Sequence, residues 1–149
     1  MTRILMLAAA LAALPIAAAT AQSGMTPEQI VTARQSAYDL SGGAMAAMKA
    51  SADAGADVHS LVFPARAMAR WARTLPTLFP ASTNIASSHA LPTVWSDRAG
   101  FEAKAAAYAA AAQALAQAAQ SGDRAAFLTQ WAAVRATCGA CHDGYKAPD

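Results

Sequence analysis

Six residues near the end of the chain constrain its architecture more than any other feature. Phe127, Trp131, Val134, Cys138, Cys141 and Tyr145 follow one another at intervals of four and three. That spacing places them on one stripe of an α-helix and would scatter them over both faces of a strand. Phe101, Ala105, Tyr108, Ala112, Leu115 and Ala119 repeat the rhythm. No stretch alternates apolar and polar residues as a half-buried strand does. Alanine supplies nearly a third of the 149 residues and aromatics only 7%. Alanine favours helix but buries little apolar area. The chain therefore reads as helical, with a core short of volume.

Four helices emerge. The first opens at Thr26, with Pro27 at its first position and Gln29 completing a capping box, and runs to about Ala50. Its inward stripe is Ile30, Arg34, Ala37/Tyr38, Ser41, Met45 and Met48. Gly42 and Gly43 weaken it by roughly 1 kcal/mol each. They mark either a local break or a place for close approach by a helix or flat ligand. The second helix starts near Asp57 and ends before Pro76, with Pro64 expected to kink it or reset its start. Its face is Val58, Leu61, Val62, Ala65, Met68, Ala72 and Leu75. A proline-bearing loop occupies 76–94. The third helix runs from Ser96 or Asp97 to Gln120. The fourth is capped by Asp123 and continues toward Tyr145. Short, long and short connections give an all-α, antiparallel up-down-up-down four-helix bundle.

Residues 1–21 stand apart. A basic start at Arg3, an apolar run from Ile4 to about Ala19, and Ala19-Thr20-Ala21 before Gln22 form the pattern of a cleavable signal peptide. The expected mature domain is 22–149, exported to the periplasm and free of the membrane after cleavage. A formal net charge of +2 is too mild to imply nucleic acid as a partner.

Export bears on the two cysteines, because exposed thiol pairs oxidise outside the cytoplasm. A disulfide three residues apart closes a tiny loop and contributes little stability. Cys138-Gly139-Ala140-Cys141-His142 also fits the haem-attachment pattern Cys-x-x-Cys-His. Two thiols joined to the porphyrin edge bring the adjacent imidazole under the ring and onto the iron. A thioredoxin-type pair would open a helix beside a sheet, whereas this pair closes one. A structural zinc needs four ligands, and the spacing of His59 and His89 does not supply them. Only seven residues follow His142, none of them Met or His. Any sixth iron ligand must come from upstream.

Taken together, these segments resemble the class II c-type cytochromes, the cytochrome c′ family, over essentially the whole mature chain. The resemblance rests on Cys138 through Lys146 and on Arg34-Gln35-Ser36-Ala37-Tyr38. Leu75-Pro76, Phe79-Pro80 and Pro92 through Asp97 support it. It implies one covalently attached haem c near the C-terminus, with thioethers at Cys138 and Cys141 and proximal ligation by His142. Arg34 would pair with a haem propionate, assisted by Gln35. Lys146 matches a basic position beside the proximal imidazole where the family often has arginine.

Tyr38 occupies the place where low-spin members carry a ligating methionine. The resemblance thus implies a five-coordinate, high-spin iron whose distal face is crowded by Tyr38. A shifted register bringing Met45 or Met48 to the iron is the competing arrangement. The implied role is electron transfer, binding of nitric oxide or carbon monoxide, or both, with an unidentified redox partner protein. Homodimerisation through the first two helices is a further implication, and their exposed faces include Ala46, Ala47, Ala50, Ala67 and Arg70. No general acid–base pair points to an enzyme. Two other readings stay open: a six-coordinate low-spin electron carrier, and a non-haem helical adaptor with a Cys138–Cys141 disulfide.

Overall fold

The computed structural model describes residues 24–148, so the expected leader at 1–21 lies outside the described residues. Helix α1, Pro27–Asp53, starts on the expected capping box. The Thr26 hydroxyl accepts from the Gln29 amide at 3.3 Å, and the Gln29 side chain accepts from the Thr26 amide at 2.8 Å. The helix passes through Gly42 and Gly43 without a break, and a Cβ at either would meet nothing within 4 Å.

A 3₁₀ turn, Val58–Leu61, leads into α2, Val62–Thr74. Pro64 falls in the first turn of α2, where its missing N–H costs no hydrogen bond. It resets the start and does not kink the helix. The segment expected as one loop holds three 3₁₀ turns, Leu75–Leu78, Ala81–Thr83 and Ala86–Ser88. A one-turn helix α3 follows at Thr93–Ser96. Runs this short carry no readable apolar period, which is why sequence alone shows only a loop.

Helix α4, Arg98–Ser121, is capped by the Asp97 carboxylate accepting from the Gly100 amide at 3.2 Å. It stops at Gly122, whose φ of 73° is left-handed backbone that favours glycine. Helix α5, Arg124–Tyr145, starts on Asp123, which accepts from the Ala126 amide at 3.0 Å. No helix among the described residues is long and apolar enough to cross a membrane.

Helix α4 is the spine, packed most extensively against α2 and α5. Its buried alanines (Ala105, Ala112, Ala116, Ala118 and Ala119) let both neighbours come close. Met48, Leu61, Met68, Leu115, Phe127 and Val134 form the main core. A second cluster under the loop comprises Leu75, Phe79, Val94, Phe101 and Ala105, and Tyr108 packs against both clusters. Helix α1 touches α2 and α5 over shorter lengths. The Trp131 indole N–H donates to the Met45 carbonyl at 2.8 Å and ties α5 to α1.

The loop is lashed to the end of α5. The Leu91 amide donates to the Tyr145 carbonyl at 3.0 Å, and the Ala147 amide donates to the His89 carbonyl at 2.9 Å. The Thr93 hydroxyl donates to the Gly144 carbonyl at 2.6 Å. The Tyr145 hydroxyl donates to the Asp97 carboxylate at 2.7 Å. A Cβ at Gly100 would collide with both the Asp97 carboxylate and the Tyr145 hydroxyl, so this clasp needs glycine there.

Two outcomes follow. Phe127 is fully buried in the main core, and Phe127→Ala is expected to cost about 3–5 kcal/mol in chemical denaturation. The Asp97 carboxyl is held below its ordinary 3.8 by the Tyr145 hydroxyl and the Gly100 amide. The same bond pushes the Tyr145 phenol up to about 12. The carboxylate contribution is therefore full above the ordinary value and lost as pH falls through the lowered one. The phenol contribution is full below its ordinary value and lost as pH rises through the raised one. The melting temperature of Tyr145→Phe should lie below wild type by a constant gap between about pH 5 and pH 9, narrowing outside that window.

Candidate cofactor site

A cleft of about 410 Å³ opens between the first half of α1, the loop and the last turns of α5. That is within the usual size range of ligand sites. Arg34, Gln35 and Tyr38 line it from α1, and Cys141, His142 and Tyr145 line it from α5. Phe79, Ser88 and His89 come from the loop, with Val94 and Phe101 behind them. The sequence-expected residues thus converge, except that Cys138 stands one turn back on the same helix, exposed to solvent.

Arg34 is the most unusual group in the cleft. Its side chain is only 1% exposed. It donates to the Leu78 carbonyl at 2.8 Å, to the Thr83 hydroxyl at 2.9 Å and to the Ser88 hydroxyl. Its guanidinium lies 4.0 Å above the Phe79 ring. All these partners are neutral, and no carboxylate pairs with it among the described residues. Burial lowers its pKa below the usual arginine range, partly offset by Tyr38. A buried cation keeps its charge at a cost unless an anion joins it. Gln35 extends the polar edge by donating to the Ser87 carbonyl at 3.0 Å.

Both cysteines are free thiols. Partial desolvation by the surrounding helices pushes both thiols up, and for Cys141 the neighbouring Cys138 adds to it. The Cys138 thiol donates to the Val134 carbonyl at 3.5 Å. Redox-active pairs of the thioredoxin type need the opposite shift and a helix N-terminus. His142 is exposed on the last turn of α5, and the Lys146 amide donates to its carbonyl at 3.2 Å. No cluster of three or more His, Cys, Asp or Glu suited to a metal occurs among the described residues.

Tyr38 faces these groups from α1. Burial is the main cause that pushes its phenol well above the ordinary range, with Cys141 adding to it. The ring meets Trp71 edge to face at 5.5 Å between centroids. Trp71 does not line the cleft but braces Tyr38, and sequence reasoning missed that support. Its only signal is its place three residues after Met68 and four before Leu75. The Trp71 indole N–H is buried with no hydrogen-bond partner. Tyr108, from α4, is pushed up to about 12 chiefly by burial, with Cys138 adding and a bond to Ser41 opposing. Met48 is 1% exposed in the main core and Met45 packs against that core, and neither lines the cleft.

A flat apolar group bearing carboxylates fits this arrangement. Aromatic walls would flank it, the Cys141 thiol stands at one edge with Cys138 one turn back, the His142 imidazole follows, and a guanidinium without a carboxylate partner lies at the polar end. Haem c has each of these complements.

Comparison with known proteins agrees. Residues 29–146 match the family model for cytochrome c′. The cytochrome c′ of Pararhodospirillum photometricum is 37% identical over 123 residues, covering 81% of this chain and 98% of that protein. The crystal structure of cytochrome c′ from Thermochromatium tepidum superposes with a TM-score of 0.76 at 27% identity, over 83% of this chain and 98% of that one. A ferrous variant of the Alcaligenes xylosoxidans cytochrome c′ with bound nitric oxide gives 0.76 at 28% identity, over 85% and 99%. With a match over most of its length, the chain belongs to the cytochrome c′ family, whose cofactor is a covalently bound haem c with its iron.

Proposed function

We propose that the protein is an exported cytochrome c′ that binds small gaseous ligands, nitric oxide or carbon monoxide, and exchanges electrons with a partner protein. Residues 1–21 would direct export to the periplasm, leaving 22–149 as the working domain. The observation that carries the reading is Arg34, a buried cation without an anion, across one cleft from Cys141 and His142.

Cys138 and Cys141 would hold the cofactor through thioether bonds, and His142 would be the proximal iron ligand. Arg34, with Gln35 beside it, would receive a propionate in the polar corner built by Thr83 and Ser88. When bound, haem supplies an iron that takes up a small ligand and passes an electron. The protein's part is to decide what reaches the iron. Tyr38, braced by Trp71, would crowd the side opposite His142 with a bulky ring whose phenol stays protonated at neutral pH. A protonated phenol is a poor iron ligand, and Met45 and Met48 are committed to the core. With neither group offered as a sixth ligand, a bound iron would be five-coordinate and high-spin, and Tyr38 would filter incoming ligands by size and polarity. Lys146 lines the same cleft near His142 and keeps positive charge there, without the planar fork of an arginine.

No general acid–base pair is assigned to the cleft, and the protein is read as a carrier and ligand binder, not an enzyme. Leu40 and Phe63 lie 75% and 76% exposed on α1 and α2. They support a homodimer through those helices, alongside exposed Ala46, Ala47 and Ala50 and half-buried Ala67, whereas Arg70 turns toward α4.

The test is the visible spectrum of the reduced protein with and without carbon monoxide. Wild type should be high-spin and shift on adding carbon monoxide. Tyr38→Met should turn low-spin and lose most of that response at neutral pH. A low-spin wild type indifferent to carbon monoxide would mean a six-coordinate electron carrier instead.

A further inference from the structure

A second groove, of about 320 Å³, lies between α2 and α4 and shares no lining residue with the cofactor cleft. One wall carries Arg66, Arg70 and Arg73, and the other carries Gln113, Gln117 and Gln120. Both triplets are spaced four and three residues apart, so the two walls match turn for turn. Ala69 and Ala116 also line the groove, nearly buried, and no acidic residue does. Helix α2 contains no Asp or Glu at all. Three like charges one turn apart work against the helix. Where a glutamate on α4 would relieve them, the chain has neutral amides.

The guanidinium groups are largely unspent. Arg73 reaches Gln113 across a long 3.4 Å bond. The Arg66 and Arg70 guanidinium groups donate no hydrogen bond to the protein among the described residues. Both described ion pairs, Lys49–Asp53 and Arg98–Glu102, lie elsewhere. Guanidinium forks match phosphate and carboxylate oxygens, and side-chain amides complement either.

We propose that this groove binds a small polyanion carrying two or more phosphate or carboxylate groups. The arginine ladder spans about 10 Å along the helix axis, so a ligand must spread its charge to engage all three. Binding relieves the arginine repulsion and stabilises the fold by mass action. The inference is independent of the iron's coordination.

The experiment is calorimetric titration of the haem-loaded mature protein at low ionic strength with tripolyphosphate, citrate and orthophosphate. One-to-one binding of tripolyphosphate, citrate or both is expected, at least tenfold tighter than orthophosphate and weakening as salt is added; which of the two binds identifies the oxygen chemistry. Arg66→Gln/Arg73→Gln should weaken it by about tenfold or more while the visible spectrum stays unchanged. Gln117→Glu supplies an internal counter-ion. It should weaken binding similarly and raise the melting temperature of the unliganded protein. Absence of binding by both polyanions, orthophosphate binding as tightly as either, or affinities that both variants leave unchanged would overturn the proposal and leave the arginines as a solvated face.

Discussion

A guanidinium taken out of water must be given hydrogen bonds and, in the end, a negative charge. Arg34 obtains the first from Leu78, Thr83 and Ser88. These three lie in three successive 3₁₀ turns of the connection between α2 and α4. One side chain from α1 therefore gathers a long loop that has little apolar periodicity to fold it. The far end of the same loop bonds to the last turn of α5 through Leu91, Thr93 and His89. The loop thus bridges α1 and α5 around the cleft, leaving the guanidinium's charge for whatever enters.

The alanine-rich composition takes on a different meaning in this setting. On α4, small side chains let α2 and α5 close on the spine. Toward the end of α5, small residues create clearance instead. Gly139 and Ala140 are exposed, and a Cβ at Gly139 would meet nothing within 4 Å. Cys138 and Tyr38 also keep surface that a plain helical core would cover. The bundle is well packed around Phe127 and Leu115 and open at the cleft between α1, the loop and the end of α5. Under the proposed reading, haem would supply the missing apolar volume, with Arg34 and Tyr38 lining the cleft around it.

Much of this was legible from residue spacing. The stripes of α2 and α4 are buried almost as their four-three rhythm requires, Thr26 and Asp123 cap helices where expected, and α4 starts where Ser96 or Asp97 is expected to open it. Arg34 sits on the inward stripe of α1, so its burial could be read, but its partners could not. They lie 44 to 54 residues away in 3₁₀ turns too short to leave a pattern. On α1 the fully buried residues are Val31, Arg34, Met48 and Ala52, so Ile30 is only a neighbour of the true stripe. Trp71 and the matching arginine and glutamine ladders were equally hidden. Each depends on how two helices rotate against one another, which helix period does not specify.

The central claim is that the covalently held cofactor is part of the core. It is tested most directly by thermal unfolding of the haem-loaded protein beside the same mature chain carrying Cys138→Ala and Cys141→Ala and prepared without haem. A single cooperative transition for the first, and for the second a melting point lower by more than about 5 °C with weaker cooperativity, is the predicted result. Coincident transitions for the two would contradict the claim.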